Sequence, residues 1–260
     1  MGSAAVQGAL WGSHPRDWTE LQEPNHVPYF EAVLEAVGAG PGTHLLDVGC
    51  GSGLAAVLAA KRGARVSGLD AAEGLVAIAR ERLPEGDFRV GDLEELPWAA
   101  GTFDVVTAFN SIQYAADPRA AVAELRRVAR PAAPVAVVVW AAPERNDAKA
   151  FLAAIGSLLP PPPPGAGGPF ALSVPGVLEE LLVSAGLEPE AGGEVPTPFE
   201  FADLDAAWRS VAAAGPGALA LREAGEERVR AAVTAAIAPF RQPDGRYRLQ
   251  NAFRYVVARA

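Results

Sequence analysis

The sequence has very little cysteine and no long hydrophobic run. Cys50 is the only cysteine among 260 residues, which excludes an internal disulfide framework and favours a reducing compartment. Hydrophobic residues make up 50% of the chain, but no run approaches the roughly 20 apolar residues that cross a bilayer. The N-terminus also lacks a basic start followed by an apolar core. We therefore expect a cytoplasmic protein with no membrane partner.

Basic charge is scarce as well. Lys and Arg number 22 against 31 Asp and Glu, so the net charge is −9. A nucleic-acid partner would need a positive surface, and we expect none. The length suits one large domain or a core with a substantial insertion. Abundant glycine and proline, with arginine in preference to lysine, are typical of a GC-rich coding sequence.

Short apolar runs alternate with longer amphipathic stretches between Thr43 and Trp140. The runs HLLDV, ARVSGLD, DFRVG, FDVVTAF and PVAVVVW predict strands, and the stretches between them predict helices. One helix is predicted to begin at Asp117 as its cap, with Pro118 at its first position. This alternation predicts a doubly wound α/β domain with a mostly parallel sheet.

The pattern changes after Trp140, where a helix, a run of prolines and glycines, a second helix and an extended segment follow. Two or three alanine-rich helices come next, and then a long alternating strand that returns to the sheet. Helices inserted in this way usually lie over the ligand cleft as a lid. We expect five parts: an N-terminal helical cap segment (1–40), a ligand-binding core (41–142), an insertion with a helix and the sixth strand (143–202), a helical lid insertion (203–240) and the last strand (241–260).

The stretch after the first strand combines an acid with three glycines. Asp47 is followed by Gly49, Gly51 and Gly53, and such a bare backbone allows a ligand to approach closely. A dinucleotide site needs G-x-G-x-x-G, but the position of its last glycine is Leu54 here. A nicotinamide-dependent oxidoreductase is therefore the least favoured function.

The spacing D-x-G-x-G-x-G resembles motif I of class I S-adenosylmethionine-dependent methyltransferases. Three further features lie where that family has them: Asp70 at the end of the second strand, the stretch GDLEELPW with Asp92 after the third, and FDVVTAFNSIQYAADP at the fourth. The resemblance covers roughly residues 40–140. It is greatest to the small-molecule methyltransferases of the ubiquinone-biosynthesis type.

This resemblance implies a seven-stranded Rossmann-like sheet with a lid, S-adenosylmethionine as cofactor and S-adenosylhomocysteine as product. It implies that Asp70 accepts the ribose hydroxyls, that Asp92 contacts the adenine amino group and that Leu93 lies beside the ring. Trp18, in the N-terminal segment, is expected to cover the methionine part. The implied cofactor-binding residues are Trp18, Asp47, Gly49, Cys50, Gly51, Gly53, Asp70, Ala71, Asp92, Leu93 and Asn110.

The sequence carries no dominant catalytic motif, since methyl transfer needs mainly alignment of the nucleophile and exclusion of water. The paired acids of metal-dependent relatives are missing after the fourth strand, so no metal is implied. The catalytic residue is unknown, and the candidates, each with an alternative role in packing or capping, are His14, His26, Asn110 and Tyr114. Candidate substrate-binding residues are Gln113, Tyr114, Arg241 and Tyr247, with Asn251 beside them.

The leading hypothesis is transfer of a methyl group to a small, largely apolar metabolite at oxygen, carbon or nitrogen. The coding bias associates this with secondary metabolism. A methyltransferase-like cyclase or decarboxylase, and a non-catalytic cofactor-binding partner subunit, remain as alternatives, because either would keep the same cofactor residues. Either a monomer or a homodimer fits.

Overall fold

The computed structural model describes residues 2–161 and 168–260. Most of the predicted connection of prolines and glycines lies outside these residues. The helices are α1 Ala4–Trp11, α2 Pro15–Asp17, α3 Val27–Ala36, α4 Leu54–Lys61, α5 Glu73–Arg82, α6 Pro118–Val128, α7 Lys149–Gly156, α8 Val177–Ser184, α9 Leu204–Ala213, α10 Gly215–Ala224 and α11 Glu226–Ile237. The strands are β1 His44–Val48, β2 Arg65–Asp70, β3 Asp87–Val90, β4 Val105–Phe109, β5 Pro134–Trp140, β6 Glu188–Pro196, β7 Phe199–Phe201, β8 Tyr247–Leu249 and β9 Ala252–Arg259.

A seven-stranded sheet has the order β3-β2-β1-β4-β5-β9-β6. Strands β1 to β5 pair in parallel, and only β9 runs antiparallel to its neighbours β5 and β6. This confirms the predicted doubly wound, mostly parallel sheet. The strand order reverses between β1 and β4, and a ligand cleft is expected beyond the carboxyl ends of those two strands.

The hydrophobic core lies on both faces of the sheet, as β5 shows. Ala136, Val138 and Trp140 belong to the cluster on one face, while Val135 and Val137 belong to the cluster on the other. Side chains alternate between the faces of a strand, so a strand buried on both faces must be apolar throughout. The continuous apolar run PVAVVVW is explained by this double burial.

The C-terminal region differs from the single long strand that the sequence predicts. Strand β8 pairs with β7 in a separate two-stranded sheet, and β9 lies inside the main sheet between β5 and β6. The break falls at buried Asn251, whose side-chain oxygen accepts a hydrogen bond from Ala148 N at 3.0 Å. Its backbone oxygen accepts a second bond from Thr197 N at 2.7 Å. Asn251 thus forms hydrogen bonds with two other segments of the chain, and β8 and β9 do not form one continuous strand.

The inserted helices pack against the N-terminal segment. Gly215, at the start of α10, is packed so closely that a Cβ there would lie 2.6 Å from the ring of Trp11 in α1. Arg209 of α9 also forms an ion pair with Asp17 of α2. The N-terminal segment and the inserted helices therefore pack together, although they are distant in sequence.

The cap of α6 provides a test of how local sequence stabilises the fold. The Asp117 carboxylate accepts hydrogen bonds from Arg119 N at 3.0 Å and Ala120 N at 3.1 Å, as the sequence predicts. We expect Asp117→Ala to lower the free energy of unfolding by about 1 kcal/mol in urea denaturation. Asp117→Asn retains an acceptor and should lose only a few tenths. Equal losses in the two variants would contradict capping as the cause.

Candidate cofactor pocket and acceptor chamber

A pocket opens at the carboxyl ends of β1, β2 and β4, where the strand order predicts it. Its space, including open solvent at the mouth, is about 860 Å³. Among the residues that line it are most of those predicted to bind the cofactor: Trp18, Asp47, Gly49, Cys50, Gly51, Asp70, Ala71, Asp92, Leu93 and Asn110. Gly53 is absent from its lining and packs instead against α5, where a Cβ would lie 2.9 Å from that of Ala79. The fold therefore brings together residues from five separate parts of the chain.

The glycine loop is held by backbone hydrogen bonds to the neighbouring strand. Gly49 N and Cys50 N both donate to Leu69 O, at 2.7 and 3.0 Å. Gly49 has a φ of +80°, and a Cβ there would lie 2.4 Å from the Cβ of Ser111. A Cβ at Gly51 would instead project into the pocket, 3.4 Å from Trp18 Nε1 and 3.6 Å from Glu23 Oε1. Gly49 thus permits close packing, and Gly51 leaves room for a ligand.

Asp70 connects the loop to the end of β2. Its two carboxylate oxygens accept hydrogen bonds from Gly51 N and Ala72 N, each at 2.9 Å. Burial raises the pKa of Asp70, although these backbone bonds oppose the shift. A carboxylate oxygen can accept more than one bond, so both oxygens keep capacity for the hydroxyls of a sugar.

Asp92 follows β3 and meets the N-terminus of α1. Its carboxylate accepts hydrogen bonds from Glu94 N at 3.0 Å and Ala4 N at 3.3 Å. A Cβ at Gly2 would lie 1.8 Å from the same carboxylate, so the chain passes very close to this acid. Helix α1 therefore covers the end of the pocket where the resemblance places the adenine.

The N-terminal segment contributes two polar side chains above the glycine loop. The indole N–H of Trp18 is buried and has no hydrogen-bond partner within the described residues. Glu23 is buried, and its carboxylate accepts hydrogen bonds from Leu54 N at 3.3 Å and Arg82 Nη1 at 2.5 Å. The same Arg82 nitrogen donates to Ser52 O at 3.0 Å, which ties this segment to the loop. The glycine loop thus faces the Trp18 indole N–H, a donor with no partner among the described residues, and the Glu23 carboxylate.

A second cavity, here called the aromatic chamber, adjoins this pocket, and its space, including open solvent, is about 480 Å³. Its own walls include Trp140, Phe151, Phe199, Phe201 and Ser210, from β5, α7, β7 and the insertion. It shares a wall with the cofactor pocket, formed by Trp11, Trp18, His26, Asn110 and Tyr114. The two spaces therefore adjoin at these five residues, and a small molecule in the chamber would lie beside the cofactor pocket.

Three of the four catalytic candidates lie in the shared wall. His26 is buried, and burial lowers its pKa to about 3. Asn110 adopts a left-handed backbone with a φ of +53°, and burial raises the pKa of Tyr114. His14 is exposed and contacts Ser13 Oγ, away from both cavities. The structure therefore does not bring His14 to the site.

The other substrate candidates lie outside both cavities. Gln113 donates to Asn110 O at 3.2 Å and so supports the loop without lining either space. Tyr247 is buried in β8, where it pairs with Phe201, and Arg241 forms a bridge with Tyr247. The prediction for these two residues rested on their position beside the insertion, but the small β7–β8 sheet holds them elsewhere.

Sequence reasoning missed several lining residues, among them Trp11, Glu23, Ser111 and Ser210. Glu23 stands alone among uncharged neighbours in LQEPNHVPYF, and this unusual position was the available signal. Cys50 is buried, and this burial raises the pKa of its thiol. Within residues 2–161 and 168–260 no cluster of three potential metal ligands exists. No helix of that same part is both long and apolar enough to cross a membrane.

Comparison with known proteins identifies the core. Residues 46–137 match a family model described as a methyltransferase domain. The core of the chain is therefore similar to this family of methyltransferase domains. The match confirms the family resemblance and supports S-adenosylmethionine as the cofactor of this domain.

Individual relatives agree with this family. A ubiquinone biosynthesis O-methyltransferase from Hahella chejuensis is 36% identical over 150 residues, which are 56% of this chain and 60% of that protein. The chain spans about half the length of the curated relatives it matches.

Solved structures show the same fold. A structure titled as a putative methyltransferase from Bacillus halodurans is 17% identical, with a TM-score of 0.58 over 88% of this chain and 97% of that one. The [4+2]-cyclase SpnF is 22% identical, with a TM-score of 0.57 over 89% and 80% of the two chains. At these identities the likeness concerns the fold of the methyltransferase domain, not its reaction.

The residues present in the pocket fit S-adenosylmethionine. Gly51 leaves an open cradle, the Trp18 indole N–H is a buried donor with no partner in the described part of the chain, and Asp70 retains acceptor capacity. The methionine carboxylate would suit Trp18, the ammonium group would suit Glu23, and the ribose would suit Asp70. When bound, the cofactor supplies an electrophilic methyl group. The residues named here would hold the cofactor in the pocket.

Glu23 provides a test of how the pocket reads the methionine part. We expect Glu23→Gln to weaken S-adenosylhomocysteine binding by about 10- to 100-fold, because a charge-assisted hydrogen bond to the ammonium group is lost. Binding of 5′-methylthioadenosine, which lacks the amino-acid part, should change less than about two-fold. Both affinities are measured by calorimetry, with Glu31→Gln at a surface ion pair as control. Equal weakening of the two ligands would show that Glu23 acts only through the fold.

Asp47 gives a pH-dependent prediction. It is buried, accepts a hydrogen bond from Thr107 Oγ1 at 3.0 Å, and burial raises its pKa to about 7. A carboxyl whose pKa is raised on folding stabilises the protein when protonated, and that stabilisation is lost as pH rises from about 4 to about 7.

The isosteric variant Asp47→Asn should therefore gain stability relative to the wild type across this range, as measured by urea unfolding at a series of pH values. A difference between the two proteins that stays constant with pH would contradict this.

Proposed function

We propose that this chain is an S-adenosylmethionine-dependent methyltransferase that acts on a small, largely apolar metabolite, and we associate it with secondary metabolism. The observation that carries the proposal is the shared wall. A cofactor pocket with a glycine loop and acids at two strand ends adjoins the aromatic chamber, and Trp11, Trp18, His26, Asn110 and Tyr114 line both spaces. Methyl transfer requires this juxtaposition of two ligands from which water is excluded.

Within this proposal, His26 is better suited to orient the acceptor than to remove its proton. Its pKa of about 3 makes it a weak proton acceptor at neutral pH. Its Nε2 lies 3.3 Å from Gln22 Nε2, and Gln22 Oε1 accepts a hydrogen bond from Ser210 Oγ. This buried chain of bonds fixes the orientation of the imidazole in the shared wall.

A cyclase is the second candidate, and the observation that favours it is the likeness in fold to SpnF. This likeness leaves the reaction open, since one fold hosts several chemistries. The two candidates differ in whether methyl transfer consumes the cofactor.

Calorimetry with S-adenosylmethionine, S-adenosylhomocysteine and NAD tests the cofactor assignment. We expect micromolar binding of the two sulfur ligands and none of NAD. Asp70→Ala should weaken binding of the sulfur ligands at least about 10-fold, because the acceptors for the ribose are removed. Circular dichroism checks that this variant is folded, and Glu144→Ala at an exposed turn is the control. Absence of binding in folded, cofactor-free protein would contradict the proposed function.

A further inference from the structure

The aromatic chamber differs from the cofactor pocket in its charge. Four carboxylates line the cofactor pocket: Glu23, Asp47, Asp70 and Asp92. Among the described residues, only two titratable side chains line the chamber, those of His26 and Tyr114. Burial lowers the pKa of His26 and raises that of Tyr114, so both are uncharged at neutral pH. The chamber therefore offers no counter-ion.

An ionised group would be costly to bind in such a space. A buried charge needs a partner of opposite sign or several hydrogen bonds, and without them its desolvation costs several kcal/mol. The carboxylates beyond the shared wall would further oppose an anion. The chamber thus selects against carboxylates and phosphates.

The walls favour flat ligands. Trp140 stacks on Phe253 with ring centroids 4.3 Å apart and an interplanar angle of 29°, which fixes its orientation. In the shared wall, Trp11 packs edge-on against Trp18 at 4.9 Å and against Tyr114 at 5.2 Å. Rigid aromatic walls lose little conformational entropy when another ring stacks on them.

Two indole N–H groups in the walls of the chamber, those of Trp18 and Trp140, have no hydrogen-bond partner within the described residues, and Trp18 also lines the cofactor pocket. Ser210, Gln22 and His26 satisfy one another in the buried chain of hydrogen bonds. The indole N–H of Trp140 is buried and has no partner within the described residues. A buried donor without an acceptor is destabilising, and an oxygen atom on the ligand would remove this cost.

We propose that the aromatic chamber binds an uncharged, planar ring compound that carries a hydroxyl or carbonyl oxygen, which accepts a hydrogen bond from Trp140. The identification of this compound as the methyl acceptor rests on the proposed function. The proposal that the chamber binds such a compound does not rest on the proposed function, and this binding is measured separately.

The test uses hydroxyarenes and their matched carboxylates. Phenol, 2-naphthol and 2-hydroxyanthracene are titrated by calorimetry into protein saturated with S-adenosylhomocysteine, beside benzoate, 2-naphthoate and anthracene-2-carboxylate. We expect at least one hydroxyarene to bind 10-fold or more tightly than its carboxylate. Trp140→Phe should weaken that hydroxyarene about five-fold and leave the hydrocarbon without oxygen unchanged. Trp208→Phe is the matched control, since Trp208 is a buried tryptophan that lines neither cavity.

The outcomes separate the two proposals. Carboxylates that bind as tightly as the hydroxyarenes, or a failure of every hydroxyarene to bind, would overturn the assignment of the chamber while S-adenosylhomocysteine binding still supports the proposed function. An equal effect of Trp140→Phe on hydroxyarene and hydrocarbon would overturn the role of the indole N–H. If S-adenosylhomocysteine itself fails to bind, the proposed function fails, and the chamber is then judged by the same series without it.

Discussion

The tethering of the glycine loop to the end of β2 is the interaction on which the site depends. Leu69 O receives two backbone N–H groups from the loop, and the Asp70 carboxylate receives a third from Gly51. These bonds fix the bare backbone next to the acid at the adjacent strand end. If they were lost, Gly51 and Asp70 could not face one ligand together. The parallel pairing of β1 and β2 makes this possible, because it brings both carboxyl ends to the same edge.

Charge is divided between two adjoining spaces. The acids surround the cofactor pocket, where a cationic sulfonium ligand with hydroxyl groups would find partners. Aromatic rings and uncharged polar groups surround the chamber. The shared wall is neither acidic nor purely aromatic, since it combines two tryptophans with His26, Asn110 and Tyr114. On the proposed function, the charged cofactor and the uncharged acceptor would lie side by side, each in its own space.

The N-terminal segment contributes to both spaces and depends on the rest of the fold for its position. Glu23 binds Arg82 of α5 and the start of α4, while Gln22, its neighbour in sequence, binds Ser210 of the insertion. Consecutive residues thus attach this segment to the core through one side chain and to the inserted helices through the next. Helix α1 completes the enclosure by contacting Asp92.

Local sequence determined the alternation of strands and helices, the cap at Asp117 and the glycine loop with acids at the strand ends, because each of these depends on residues close together in the chain. The tertiary structure decided the rest. The break at Asn251 follows from bonds to Ala148 and Thr197, and the chamber depends on Gln22 meeting Ser210, 188 residues away. Such contacts join residues that are far apart in the chain, so no local hydrophobic periodicity predicts them. For the same reason Glu23 was missed, and Arg241 and Tyr247 were predicted near a cavity that the β7–β8 sheet keeps them from.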